Sequence, residues 1–497
     1  MLLEMAADAC GERLAVSCGG EALSYEALRR AARAAAARLR DGSFSHLALL
    51  DTNGLPAAVA LYAAAYAGLP YVPLNYRLTA AELEELLRRV APAWLAAAAE
   101  QRGRLRLPAG IQAADPRRLL DAQAADHQEP TVPLHEEPAA IAIQLFTSGT
   151  TAAPKAALLR HEHVMSYILG TVEFGAAAPE EAALVAVPPY HIAGISALLS
   201  STYGTRRVVL LPRFEPAEWV RLLAVERITH AFVVPTMLVR ILEHLETLSP
   251  PPRFPALRAL AYGGGRMPLA VIERALARFP GVDFTNAYGL TETSSTICLL
   301  SPEDHRSALA SSEPRVRRRL GSVGRALPTV ELEVREESGR VLGAGEAGLV
   351  FVRGAQVAGE YRGSGSLRDA AGWFATQDRG WVDEEGYLFL EGRADDVIVR
   401  GAENISPGEI EEALLAHPAV RDAAAVAVPS EEWGEAVGAA VVLRAGAAVS
   451  AAELKEWVRA RLRSSRVPER VKFLEELPYN EMGKLLRRVL RQELKNS

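Results

Sequence analysis

Behind Ser24, a residue suited to an N-cap, the apolar positions Leu28, Ala32, Ala35 and Leu39 recur at helical spacing, and the apolar run His46–Leu50 follows a short polar break. The pattern predicts a helix and then a strand. Thr79 with Glu82 three residues on is a capping-box signature ahead of Leu83, Leu86, Leu87 and Val90. Short β-branched runs at 185–187, 208–211 and 231–234 alternate with further helical stretches. Such alternation predicts α/β layers on largely parallel sheets. The stretch 57–74, mostly alanine and interrupted by Gly68, Pro70 and Pro73, reads as a buried helix leading into a strand rather than a membrane span.

After about residue 321 the texture changes to short strand candidates at 330–334, 348–352 and 387–390, separated by Gly and acidic turns. They suggest an antiparallel sheet or small barrel closing the large domain. The boundary is placed at Asp395, giving a large N-terminal domain over 1–394 and a small α+β C-terminal domain over 395–497. In the latter the pattern predicts a helix over 405–416, strands over 423–428 and 437–443, and a helix from Ser450 capped by Glu453.

Composition narrows the class. The chain has 497 residues, 49% of them hydrophobic and 23% charged, which excludes disordered and fibrous classes and is long enough for more than one core. A net charge of −6 does not point to nucleic acid or an anionic membrane. The three cysteines, Cys10, Cys18 and Cys298, have no CxxC or metal-ligand spacing, so neither a disulfide nor a zinc framework is expected. Residues 1–16 lack a basic region followed by an apolar run, so cytoplasmic residence is the expectation.

The sharpest chemical signal follows the apolar strand over 141–146. It is the run Thr147-Ser148-Gly149-Thr150-Thr151-Ala152-Ala153-Pro154-Lys155. A hydroxyl-rich, glycine-containing loop offers backbone N–H groups and side-chain donors to phosphate oxygens, and Lys155 adds a point charge. It does not follow the Gly-x4-Gly-Lys-Ser/Thr pattern. Taken alone, an ordinary Ser/Thr-rich turn stays open. Tyr288 followed by Gly289 suits an aromatic face beside a flat base, and Gly263, Gly264 and Gly265 suit a close backbone approach on the other side.

Taken with Pro189-Tyr190-His191 and Gly194, Gly263-Gly264-Gly265, Tyr288-Gly289-Leu290-Thr291-Glu292, Asp378, Gly392-Arg393-Ala394-Asp395-Asp396, the stretch 401–407 and Gly483-Lys484, the loop resembles the adenylate-forming superfamily. That superfamily holds acyl-CoA synthetases, luciferases and peptide-synthetase adenylation domains. The ordered match covers nearly the whole chain. It implies an ATP-dependent, AMP-forming ligase that activates a carboxylic acid as its acyl-adenylate and passes the acyl group to coenzyme A. It further implies that Thr147, Ser148, Gly149, Thr151, Lys155, the three glycines, Asn286, Tyr288, Gly289 and Thr291 bind the nucleotide. Asp378 and Arg393 would hold the ribose, Thr150 and Glu292 the Mg²⁺ and phosphates, and Lys484 would be the mobile catalytic lysine. His191 and Gly265 would face the acyl pocket, although a satisfied core histidine is as open a reading for His191. Gly401 and Ala402 would line the coenzyme A tunnel, and Asp395 would be the hinge about which the C-terminal domain swings. The segments 188–195 and 262–267 look most like bacterial fatty-acyl-CoA synthetases of the shorter type.

The sequence also departs from the family pattern. Ala152 and Ala156 stand where the phosphate loop usually or often has glycine, Gln377 replaces the glycine before the ribose aspartate, and Ala402 replaces a second tunnel glycine. A methyl group where φ must be positive costs about 1 kcal/mol. Two alternatives therefore stay open: a member that only converts a pre-formed acyl-adenylate to the thioester, and a ligase serving the phosphopantetheine of an acyl-carrier protein. The expected partners are small molecules, without nucleic acid or integral membrane contact, in a monomer or two-fold homodimer. The arginine-rich residues 315–319 read as a solvated loop.

Overall fold

The computed structural model describes residues 1–121, 137–147, 154–401, 403–430, 432–480 and 485–495. The expected first helix runs Tyr25–Arg40, and the Ser24 hydroxyl accepts the Ala27 N–H at 3.1 Å, satisfying one of the donors a helix start leaves unpaired. Thr79 and Glu82 form the reciprocal capping box of the helix Ala80–Val90. The alanine-rich stretch is a buried helix, Leu55–Ala67, ended by left-handed Gly68 and followed by the strand Tyr71–Pro73. Among the described residues no helix is long and apolar enough to cross a membrane.

Two large sheets carry the N-terminal part. One has nine strands in the order Arg325–Ala326, Ser295–Leu300, Asp283–Leu290, Ala259–Gly263, His230–Val233, Ala182–Val185, Arg207–Leu210, Leu14–Cys18 and Glu21–Ser24. Its six central strands are parallel and antiparallel strands finish both edges. The other has eight strands in the order Gly365–Ser366, Glu360–Tyr361, Lys155–Arg160, Ile141–Thr147, Tyr71–Pro73, His46–Leu50, Ala93–Ala97 and Ile111–Ala114. Leu28, Ala32 and Leu39 of the first helix, with much of Leu55–Ala67, pack against Leu47 and Leu49 of one sheet and Val16 and Val208 of the other. The two sheets thus share one core. Each fully buried leucine there contributes about 1.5–3 kcal/mol, and truncating Leu28 to alanine would cost about 2–5 kcal/mol.

The part expected as an antiparallel sheet or small barrel is a four-stranded antiparallel sheet of Glu331–Arg335, Gly348–Arg353, Phe374–Val382 and Leu388–Arg393. The strand Phe374–Val382 was not among the expected ones, because the polar run Thr376-Gln377-Asp378-Arg379 hides its alternation.

A separate small C-terminal unit has its own five-stranded sheet of Glu403–Ile405, Ile398–Arg400, Gly434–Leu443, Val420–Ser430 and Arg470–Phe473. One face buries Ile410 and Leu414 of the helix Pro407–Leu415 and Leu454 of the helix Ala451–Arg459. The other buries Leu490 and Leu494 of a helix, Arg487–Lys495, that the sequence pattern did not give. The helix expected over 405–416 begins instead at Pro407. Ile405 is drawn into the ladder opposite Ile398, and proline with its fixed φ opens the first helical turn.

Candidate active site

Two sheets deliver the first cluster. Asp378, 7% exposed, sits within Phe374–Val382 and accepts two side-chain hydrogen bonds. Tyr288 Oη, from the nine-stranded sheet, donates to Oδ2 at 2.6 Å, and Arg393 Nη1, directly across the ladder, donates to Oδ1 at 3.2 Å. The same guanidinium nitrogen donates to the Thr376 carbonyl at 2.8 Å, and the Thr376 hydroxyl accepts the Asp378 N–H at 3.1 Å. Burial, reinforced by the adjacent Asp378 carboxylate, pushes the Tyr288 hydroxyl well above its ordinary pKa, so it remains a donor. For Arg393 burial opposes the charge, but Asp378 and, further off, Glu292 outweigh it and push the value up.

Glu292 opens a second cluster. One of its carboxylate oxygens accepts the Tyr361 hydroxyl, and its backbone carbonyl accepts the N–H groups of Ala358 and Gly359 at 2.9 and 3.0 Å. The Tyr361 ring in turn lies under Lys155, with Nζ 5.6 Å from the ring centroid. The strands flanking the hydroxyl-rich loop pair antiparallel with Thr147 opposite Lys155, which puts both loop ends beside this cluster. Tyr361 and Thr376 were missed from the sequence: neither lies in a periodic run, and the strand that carries Tyr361 is two residues long.

The glycines have reasons internal to the fold. A Cβ on Gly263 would meet the Ala287 carbonyl oxygen of the neighbouring strand at 2.2 Å, and one on Gly289 would meet the Ser295 carbonyl oxygen at 1.9 Å. Gly264 is left-handed at φ 78°, and Gly265 lies beside Pro235, 3.6 Å from where its Cβ would stand. Asn286 is buried and its side-chain amide donates to the Ser322 carbonyl at 3.0 Å, while Thr291 starts the short helical turn Thr291–Thr293 that presents Glu292. Of the departures from the family pattern, Ala156 occupies a regular strand position opposite Phe146. Gln377 holds the left-handed φ 64° next to Asp378.

His191 precedes the helix Ile192–Tyr203 with its ring 4.6 Å from that of Tyr190. Its Nε2 is buried without a hydrogen-bond partner, and burial pushes its pKa down to about 3, so it is neutral at physiological pH. Gly401 is left-handed at φ 63° and its N–H donates to the Trp433 carbonyl at 2.9 Å. The Asp395 carbonyl accepts Arg491 Nη2 at 2.7 Å. Arg266, next to the three glycines, pairs with Glu412 of the small unit at 2.7 Å and fills the space over Gly408. Ser148, Gly149, Thr150, Thr151, Ala152, Ala402 and Lys484 lie outside the described residues.

Nearly all of the chain aligns with known proteins. The model of the AMP-binding enzyme family matches residues 3–362, and that of the AMP-binding enzyme C-terminal domain matches residues 409–484. The chain belongs to the AMP-binding enzyme family. Within it, the chain is 33% identical to a feruloyl-CoA synthase of Amycolatopsis sp, over 96% of this chain and 95% of that one. It is 32% identical to a 2-succinylbenzoate–CoA ligase of Bacillus licheniformis over 98% of both. The structure of o-succinylbenzoate CoA synthetase from Bacillus subtilis, in complex with its acyl-adenylate intermediate, superposes with a TM-score of 0.83 at 28% identity, covering 99% of this chain and 97% of that one. This family member is an ATP-dependent acid–thiol ligase of the AMP-forming class.

Proposed function

We propose that the two clusters form the nucleotide site of an acyl-CoA synthetase and that its acid is an aryl-substituted carboxylic acid, the class to which the substrates of the feruloyl and succinylbenzoate relatives belong. The carrying observation is the meeting of Tyr288, Asp378 and Arg393 beside Glu292 in a chain aligned from end to end with these ligases.

Asp378, held by two donors, keeps free lone pairs for the ribose hydroxyls of ATP, because a carboxylate offers about four acceptor sites. Tyr288 fixes that carboxylate and sets its ring beside the base, with Gly263, Gly264 and Gly265 opposite. Thr147, Ser148, Gly149, Thr150, Thr151 and Lys155 grip the phosphates. Mg²⁺ commonly takes one or two carboxylates and completes its shell with substrate phosphates and water, a role the single Glu292 carboxylate suits. Glu292, with Thr150, would hold it, and the ion would neutralise charge on the phosphates. The acid's carboxylate attacks the α-phosphorus of ATP, a P–O bond forms as pyrophosphate leaves, and Lys484 steadies the charge that develops. The thiol of coenzyme A then attacks the acyl carbonyl, giving the thioester and AMP, its proton passing to solvent. His191 and Gly265 border the acyl pocket, and Gly401 and Ala402 the thiol's path. Residues 395–497 turn about Asp395 between the two steps.

The test is exchange of labelled pyrophosphate into ATP, driven by each acid of a panel rich in aryl carboxylates. Exchange with a member of that panel, abolished by Lys484→Ala, supports the reading. Thioester formation from a supplied acyl-adenylate with no exchange for any acid would overturn it.

A further inference from the structure

We propose that Tyr361 is a positioning residue for adenylation: through its hydroxyl it aims the Glu292 carboxylate, and through its ring it holds the Lys155 ammonium, coupling the cation-binding and phosphate-binding groups. The inference rests on the reading of Glu292 and Lys155 given above. Three independent contacts carry it. The Tyr361 hydroxyl donates to Glu292 Oε1. Its ring carries Lys155 Nζ on its face at 5.6 Å, within the range of a cation–π contact. Its backbone pairs with Ala157, two residues past Lys155, so the ring is built onto the strand that leaves the phosphate loop.

The surroundings fix Tyr361 in turn. Arg160 on that strand makes a two-pronged pair with the adjacent Glu360 at 2.9 and 2.8 Å. The N–H groups of Ala358 and Gly359, just before it, both donate to the Glu292 carbonyl. Residues 358–361 therefore grip Glu292 by main chain and side chain at once. An unrestrained glutamate loses rotamer freedom when fixed, and a donor already in place removes part of that cost before the cation arrives.

Two variants of the full chain separate the two arms. Tyr361→Phe keeps the ring and removes the donor; Tyr361→Leu removes both. For Tyr361→Phe, calorimetric ATP affinity without Mg²⁺ is expected to match the parent. The Mg²⁺ concentration that half-saturates both ATP-binding enhancement and pyrophosphate exchange rises about tenfold or more, as for loss of a hydrogen bond to a charged group. Tyr361→Leu is expected to weaken Mg²⁺-free ATP binding as well, with both variants melting cooperatively near the parent. If Tyr361→Phe leaves the Mg²⁺ dependence unchanged while Glu292→Gln shifts it, the positioning role is wrong and the reading of Glu292 stands. If Glu292→Gln also leaves it unchanged, the reading of Glu292 as the cation's carboxylate fails, and the proposal with it.

Discussion

Tyr288 Oη donates to Asp378 Oδ2 at 2.6 Å, joining a strand of the nine-stranded sheet to a strand of the four-stranded antiparallel one. The bond fixes a carboxylate that Arg393 already holds from across its own ladder, so the candidate ribose acceptor is oriented before ATP enters. Preorganisation of this kind lowers the cost of binding. Asp378→Asn is expected to cut acid-dependent pyrophosphate exchange at least tenfold, with Tyr288→Phe raising the KM for ATP by about three- to tenfold through loss of one hydrogen bond that orients Asp378. Steady-state exchange kinetics on both variants check this, and an unchanged KM in both would remove Asp378 from the nucleotide site.

Next to that carboxylate, Gln377 holds φ 64°, a conformation that costs a side-chain-bearing residue about 1–2 kcal/mol, partly offset by the greater unfolded-state freedom of glycine. Gln377→Gly is expected to raise stability by about 0.5–1 kcal/mol in chemical denaturation at unchanged m-value, with exchange activity equal to or above the parent. A loss of stability would mean that the glutamine side chain makes compensating interactions.

Gly289→Ala is expected to do the opposite. Its new Cβ would stand 1.9 Å from the Ser295 carbonyl oxygen and 2.6 Å from the carbon behind it, both backbone atoms of the paired strand. Relief requires the two strands to part. A destabilisation above about 2 kcal/mol is the expected result in thermal or urea melts, with ATP binding weakened because Tyr288 moves with its neighbour.

His191 gives a pH dependence of definite sign. Its folded-state pKa, about 3 through burial, lies below the ordinary histidine value of 6.5, so the unfolded chain takes up a proton first as pH falls. The stability it contributes is complete above about pH 6.5 and is lost progressively as pH drops toward 3, at up to about 1.4 kcal/mol per pH unit. His191→Phe, which keeps a ring against Tyr190, is expected to flatten that part of the stability-versus-pH curve in denaturant titrations between pH 7 and 4. An unaltered slope would show that the buried imidazole does not supply it.

Much of this architecture was readable before any coordinate, because its signals are local. Ser24 and the Thr79–Glu82 pair announce helix starts by capping chemistry, and the chemical residues Asp378, Arg393, Tyr288 and Glu292 stand in short ordered motifs. What escaped has no local signature. The Tyr361–Glu292 bond joins residues 69 positions apart, and neither the two-residue strand Glu360–Tyr361 nor the polar strand Phe374–Val382 shows clean alternation. The helix Arg487–Lys495 is so rich in charge that only Leu490 and Leu494 mark its buried face, and their partners lie on the strands Val420–Ser430 and Gly434–Leu443. Glycine motifs were legible as motifs, but the carbonyls that forbid a side chain at Gly263 and Gly289 come from neighbouring strands and needed the fold.

The most direct test of the account is the identity of the nucleotide product. Purified protein is incubated with Mg²⁺, ATP, coenzyme A and an acid that supports pyrophosphate exchange, and nucleotides and thioester are quantified together. AMP and pyrophosphate are expected in one-to-one stoichiometry with acyl-CoA, with the acyl-adenylate accumulating when coenzyme A is withheld. ADP and orthophosphate as the products matched to thioester would contradict it.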